Sequence, residues 1–134
     1  WLSEGLFRKI SRSRWKEEII CPGRLDFEEV GHILRGAHNF VFPSLYEGFG
    51  IPILEAFASG IPVICSKNSS LPEVAGEAAL YFDGADPRDL ADKIKKLLAD
   101  DNLRQDMIKK GRLQAEKFSW EKCAKETLDV LKGD

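Results

Sequence analysis

A chain of 134 residues makes one domain or a large piece of one. Its 43% apolar and 31% charged residues suit a globular protein and argue against disorder. The net charge of −2 gives no electrostatic reason to expect nucleic acid or an anionic membrane as partner, and no apolar run approaches the ~18–20 residues that span a bilayer.

Residues 4–15 mix basic and apolar side chains, with Leu6, Phe7, Ile10 and Trp15 on one helical face. The basic run Arg8, Lys9, Arg12 and Arg14 reads as a solvated helix face, since nothing glycine-rich accompanies it. Ile19-Ile20-Cys21-Pro22-Gly23 reads as a short buried strand ended by a turn. Asp26 is placed to cap a helix with Glu29 at its third position, and Phe27, Val30, Ile33 and Leu34 form the expected buried stripe. His32 and His38 have no second ligand at metal spacing, so surface or strand-edge placement is the reading for both.

Asn39–Pro43 is the next strand, and Ile61–Ser66 another, rich in β-branched residues. Between the second of these and the next strand, Ser70 with Glu73 fits a capping box, and Pro72 is tolerated in a first helical turn. Ala79–Phe82 reads as a strand and Asp83-Gly84 as its turn. Asp86-Pro87 pairs an N-cap with a proline at the first helical position, ahead of a face made by Leu90, Ile94, Leu97 and Leu98. A further helix starts near Asn102 with Leu103, Met107 and Phe118 as apolar markers, and Gly111 in its interior weakens it. Ser119 caps a last helix with Trp120, Cys123, Ala124, Thr127, Leu128 and Leu131 along one side. Strands alternating with helices argue an α/β fold with a parallel sheet and a helical tail.

Cys21, Cys65 and Cys123 are odd in number and lack zinc or redox spacing, and no signal-peptide pattern precedes them; a reduced, cytoplasmic protein is expected. Because the chain opens on Trp1 rather than methionine, a longer parent is expected.

The segment from Phe42 to Gly60 carries the chemistry. It leaves a strand at Pro43, passes Glu47 between Tyr46 and Gly48, and enters a helix with Pro52 as its expected first residue and Gly60 as its stop. Ligands of α/β sheets bind outside the carboxyl ends of strands at such junctions. The open N–H groups of a helix start, with the Gly48 and Gly50 amides, make a seat for a phosphate or a sugar hydroxyl. Glu55 falls in or near the first turn, where the helix dipole alone stabilises a carboxylate by about 0.3–1 kcal/mol. Glu47 has no such structural reason for being acidic. From residues alone this is an anion or polyol site at the end of a parallel strand.

Pro43-Ser44-Leu45-Tyr46-Glu47-Gly48-Phe49-Gly50-Ile51-Pro52-Ile53-Leu54-Glu55-Ala56 closely resembles the E-x7-E segment of the retaining GT-B glycosyltransferases of family 4. Ala58-Ser59-Gly60-Ile61-Pro62-Val63-Ile64, Leu71-Pro72-Glu73-Val74, Asp86-Pro87 and Phe118-Ser119-Trp120 resemble that family in order and spacing, so the likeness covers residues 17–132. The resemblance implies that residues 1–134 are a fragment of one nucleotide-sugar-binding domain, the Rossmann-like C-terminal half of a GT-B enzyme. Glu47 would then be the catalytic residue at the donor sugar. The backbone of Gly48, Phe49, Gly50 and Ile51 would meet sugar hydroxyls and phosphate, and Glu55 would hold the ribose hydroxyls. Such enzymes transfer sugar with retention and use neither metal nor cofactor beyond the nucleotide-sugar itself. The Asn68-Ser69-Ser70-Leu71-Pro72-Glu73 loop resembles mannosyltransferase-like members and hints at GDP-mannose, with UDP- and ADP-sugars left open.

Two departures from the family stand out. Its upstream basic clamp for the diphosphate is not found, since Gly23-Arg24 fits better at the end of a strand. The acceptor domain is missing, and neither His32 nor His38 inherits its catalytic histidine. In a sheet of order 3-2-1-4-5-6 this chain would supply strands three to six, so a broken sheet is expected, with Ile19–Cys21 detached, re-paired or beside Asn39–Pro43. The expected partners are the donor, an unidentified acceptor and the missing N-terminal domain, with any membrane contact made through the missing part and the isolated chain catalytically silent. The competing reading is a non-catalytic sugar-nucleotide-binding or interaction module of the same fold. A generic dinucleotide enzyme lacks its G-x-G-x-x-G.

Overall fold

The computed structural model describes residues 3–133, which divide between Val30 and Gly31 into two compact units. In the first unit, α1 (Ser3–Ser11) is followed by a 3-10 turn at Lys16–Glu18. The expected helix therefore stops four residues short of Trp15, whose ring instead lies under the Arg14 guanidinium at 4.7 Å. Leu6 and Phe7, read as part of one apolar helical face, are more than half exposed.

Residues 19–21 are irregular, and Ile20 is 83% exposed. A strand exists through its ladder, and none of these residues pairs with one, so the strand expected at Ile19–Cys21 does not form. Gly23-Arg24 accordingly follows no strand. The capping box forms as read: the Asp26 carboxylate accepts from the Glu28 and Glu29 amides at 2.9 Å, and the Glu29 carboxylate accepts from the Asp26 amide at 2.9 Å. It opens α2 (Phe27–Gly36), along which the chain passes from one unit to the other. Of its expected stripe Leu34 alone is buried; Phe27 and Ile33 are exposed.

The second unit is a three-stranded parallel sheet in the order β1 (Phe40–Phe42), β2 (Val63–Ser66), β3 (Ala79–Phe82). Every β2 residue is buried, as befits a central strand covered on both faces, and its run Val-Ile-Cys-Ser lacks polar alternation for that reason. Register puts Val41, Ile64 and Leu80 in one row across the sheet, with Phe82 two residues on along the same face. That row packs on Leu90, Ile94 and Leu97 of α5 (Pro87–Ala99) and on Leu103 and Met107 of α6 (Asp101–Ala115). Each fully buried aliphatic side chain there stabilises the fold by about 1.5–3 kcal/mol.

Asp86 caps α5 by accepting from the Arg88 amide at 2.8 Å, with Pro87 leading the helix as expected. Asp100 caps α6, which starts at Asp101, one residue before the Asn102 of the sequence reading. Gly111 is no weakness. A Cβ there would lie 2.6 Å from the Phe57 ring, so the glycine is what lets α6 approach α3 (Ile51–Ala58). The buried Gln114 of α6 donates to the Val74 carbonyl at 2.8 Å and accepts from Lys117 at 2.8 Å. It thereby fixes the end of α4 (Leu71–Ala75), whose Leu71, Val74 and Ala75 are buried.

Ser119 caps α7 (Trp120–Lys132) as predicted, but no residue of α7 is buried, and Trp120 and Leu131 are open to solvent. Periodicity identified the helix; its apolar side is not covered within the described residues. No helix among the described residues is long and apolar enough to cross a bilayer.

Candidate functional site

Residues 43–50 leave the carboxyl end of β1 and reach α3 by a path held from neighbouring elements. Pro43 has no N–H for the ladder, which ends β1. Ser66, fully buried as the last residue of β2, donates its hydroxyl to the Ser44 carbonyl and is satisfied by it. Ser44 in turn donates to the Tyr46 carbonyl at 3.2 Å. Leu45 and Tyr46 project into solvent. The Phe49 ring meets Phe118 edge-on, centroids 5.7 Å apart and planes at 82°, tying the loop to the segment just before α7.

Beyond β2, the loop of residues 67–70 closes over the same stretch. Ser69 donates to the Glu47 carbonyl at 2.7 Å, and Ser70 lies 3.0 Å from both the Glu47 and the Phe49 carbonyls. Ser70 stands before α4 but makes no cap bond to it, so the capping box read from Ser70 and Glu73 does not form. The hydroxyl that would have closed that local ring is engaged across the site instead.

Gly50 adopts φ +106, and a Cβ on it would lie 2.8 Å from Leu71 Cδ2; conformation and space both require glycine. It serves as the N-cap of α3, which begins at Ile51, so Pro52 is its second residue rather than its first. At the other end the Ile61 amide donates to Ala56 and the Gly60 amide to Phe57, with Gly60 at φ +74: a complete Schellman motif. Gly48 differs from Gly50. A Cβ at residue 48 would meet nothing within 4 Å, so nothing in the protein itself requires glycine there.

Among the described residues the amides of Gly48, Phe49, Gly50 and Ile51 meet no protein acceptor, and Gly48 and Phe49 are exposed. Glu47 and Glu55 are both partly buried, and neither carboxylate has a hydrogen-bond or ion-pair partner among the described residues. Glu55 is the fifth residue of α3, beyond its first turn, which removes the helix dipole as a structural reason for an acid there. The arrangement therefore offers a row of donors at a helix start, flanked by two uncommitted carboxylates on different supports.

A separate open depression of about 410 Å³ lies at the carboxyl ends of β2 and β3, lined by Lys67, Asn68, Tyr81, Phe82, Asp83 and Asp89. It contains none of the motif residues. The Asp89 carboxyl is held below its ordinary value first by the Asp83 amide, which donates at 2.8 Å, and then by Lys93. That chemistry braces the start of α5. His32 and His38 are exposed, and no cluster of three His, Cys, Asp or Glu side chains that could hold a metal occurs among the described residues.

Sequence reasoning located Glu47, Gly48, Phe49, Gly50, Ile51 and Glu55 as one continuous stretch. It missed Ser66, Ser69 and Ser70 as the groups that hold it, because their bonds cross 21 to 23 residues of chain.

Known proteins match this architecture. Residues 4–114 match the family described as glycosyl transferases group 1. O-antigen chain mannosyltransferase B of Escherichia coli is 39% identical over 132 residues, 98% of this chain and 35% of that protein. Sucrose-phosphate synthase of Thermosynechococcus elongatus superposes with a TM-score of 0.81 at 29% identity, covering 97% of this chain and 33% of that one. The C-terminal domain of a group 1 glycosyl transferase from Francisella tularensis gives 0.75 at 29% identity, covering 86% and 60%. The chain thus spans about a third of the length of the first two of these.

Proposed function

The chain belongs to the glycosyl transferases group 1 family, and on that premise we propose that it is the donor-binding part of a retaining GT-B enzyme of family 4. The full-length protein moves a sugar, with mannose from GDP-mannose as the leading donor, to an acceptor hydroxyl. In that reaction the bond between the anomeric carbon and the phosphate oxygen breaks and the nucleoside diphosphate leaves. A new bond forms between the same carbon and the acceptor oxygen, whose proton is lost. Positive charge grows on the sugar and negative charge on the diphosphate as the old bond lengthens.

The residues present suit that charge pattern. The amides of residues 48–51, at the positive end of α3, face the negative side of the developing pair. Glu47, partly buried and without a protein partner, accepts from a sugar hydroxyl or stabilises the cationic side and is the catalytic residue of this reading. Glu55, deeper in α3, accepts from the ribose hydroxyls of the nucleotide. The reading assigns no resident metal or cofactor; the nucleotide-sugar is a co-substrate, and basic side chains complete the diphosphate site. The 39% identity to a mannosyltransferase supports the choice of mannose.

The single observation that carries the reading is Gly48: a glycine with open space around it, beside amides that no protein group engages. Replacing Gly48 by Ala fills room that the protein leaves unused and the ligand needs. In the full-length protein, Gly48→Ala should raise the donor KM at unchanged thermal stability. Unchanged kinetics with GDP-mannose, UDP-glucose and ADP-glucose would remove the motif from the donor site.

A further inference from the structure

The contacts of Ser69 and Ser70 point beyond holding a loop. Both hydroxyls engage carbonyls on one side of residues 47–50: Glu47 at 2.7 and 3.0 Å, and Phe49 at 3.0 Å. A trans peptide points its carbonyl and the following N–H in opposite directions. With the Glu47 carbonyl turned toward the serines, the Gly48 N–H points away from them; with the Phe49 carbonyl turned the same way, so does the Gly50 N–H. The serines therefore set the direction of two donors they never touch. Leu71, the next residue and fully buried, seats the other end of the grip, since its Cδ2 occupies the space a Cβ on Gly50 would need.

Ser69 holds φ +54, a left-handed conformation among non-glycine residues found nowhere else in the described chain. Its hydroxyl bond to the Glu47 carbonyl accompanies that conformation. The Ser70 hydroxyl has one proton and two carbonyls in reach, so it swings between them or shares it. Ser70 caps α4 through its backbone carbonyl alone, and neither serine side chain bonds to that helix. Their side chains have one described use, which is to orient the loop.

We propose that Ser69 and Ser70 are positioning residues of the donor site, aiming the Gly48 and Gly50 amides at an anionic or hydroxyl group of the nucleotide-sugar. This rests on the donor-site reading above and adds the groups that pre-organise it. Loss of the hydroxyls leaves the loop's covalent path intact and frees its peptide planes to rotate.

The test measures loop order without ligand and affinity with it, on the same protein. Backbone ¹⁵N order parameters of Gly48 and Gly50 should be near the rigid value of about 0.85 and should drop below about 0.6 in Ser70→Ala. Calorimetric titration with GDP-mannose, UDP-glucose and ADP-glucose should show the dissociation constant of the bound donor rising about tenfold in Ser70→Ala and further in Ser69→Ala/Ser70→Ala, in line with the loss of one or two hydrogen bonds. Ser70→Thr keeps the hydroxyl and should restore both readouts. In the full-length enzyme the same loss should appear in KM with kcat retained. Unchanged order parameters in the double variant overturn the latch, whatever the affinity. Raised mobility with unchanged affinity overturns its role toward the donor. A wild-type protein that binds none of the three donors, with order parameters responding as described, overturns the donor reading and the positioning role while leaving the latch in place as a structural contact.

Discussion

The loop of residues 43–50 and the helix α3 that follows it are adjacent in sequence and opposite in construction. The helix is self-contained: a positive-φ glycine starts it, a Schellman motif ends it, and Ile53, Ala56 and Phe57 are buried beneath it. The buried residues of α3 have a structural reason to be what they are. The loop is held from outside, by Ser66, Ser69, Ser70 and Phe118, and its own residues return little to the fold. Gly48 fits no steric need, the Glu47 carboxylate has no protein partner among the described residues, and Leu45 and Tyr46 stand in solvent. Residues that do nothing for stability are where a ligand's requirements are visible. Glu55 is the exception inside the helix, an acid beyond the first turn without a partner, and by the same argument it belongs with the loop.

The largest expected effect tests that contrast at its sharpest point. Glu47→Ala in the full-length protein should lower kcat by about 10²–10³-fold or more, the range seen when one charge-stabilising group is removed, while the melting temperature stays put. Retained transfer would return Glu47 to the solvated surface. Glu55→Ala should raise the donor KM about tenfold with kcat preserved, as loss of uniform binding does. If the two glutamates respond alike, the division between sugar side and nucleotide side collapses.

The glycines separate the two constructions by stability rather than activity. Gly50→Ala should destabilise the fold by about 1–3 kcal/mol through its φ and the Leu71 contact, whereas Gly48→Ala should stay within about 0.5 kcal/mol in denaturant melts. Gly111→Ala belongs with Gly50, since its Cβ meets Phe57. The sheet beneath adds a dependence on pH. Burial pushes the Cys65 thiol from 9.0 up to about 12, and burial with Cys65 nearby pushes Tyr81 from 10.0 up to about 12. Folding favours both neutral forms, so their stabilisation is whole below pH about 9 and is lost as pH rises toward about 12. Alkaline melts should show the loss in that window. A thiol reagent at neutral pH should label exposed Cys21 and Cys123 before Cys65.

What was legible in the sequence follows the range of the forces involved. Caps at Asp26, Asp86 and Ser119 and the stop at Gly60 are local, and each forms as its residues suggest. The motif is local too, so its glutamates and glycines fall together without tertiary information. Ser70 misleads because a local bond to α4 and a distant bond to the loop compete for one hydroxyl, and sequence displays only the first. Two adjacent serines ahead of Leu-Pro were the one visible hint. Among the described residues, Ile19–Cys21 has a strand's composition without a partner strand, and α7 has an apolar stripe without a cover; periodicity records what a face can bury, not whether anything covers it. Gly111 reads as a helix weakness until the ring of Phe57 is placed against it.

The central claim is that residues 48–51 form the donor seat, and amide chemical shifts during a titration with GDP-mannose test it most directly. The account predicts that the Gly48, Phe49, Gly50 and Ile51 resonances move first and saturate together, followed by those around Glu55. Saturable binding with those four amides unmoved, and shifts centred instead on Lys67, Asp83 and Asp89, would contradict it.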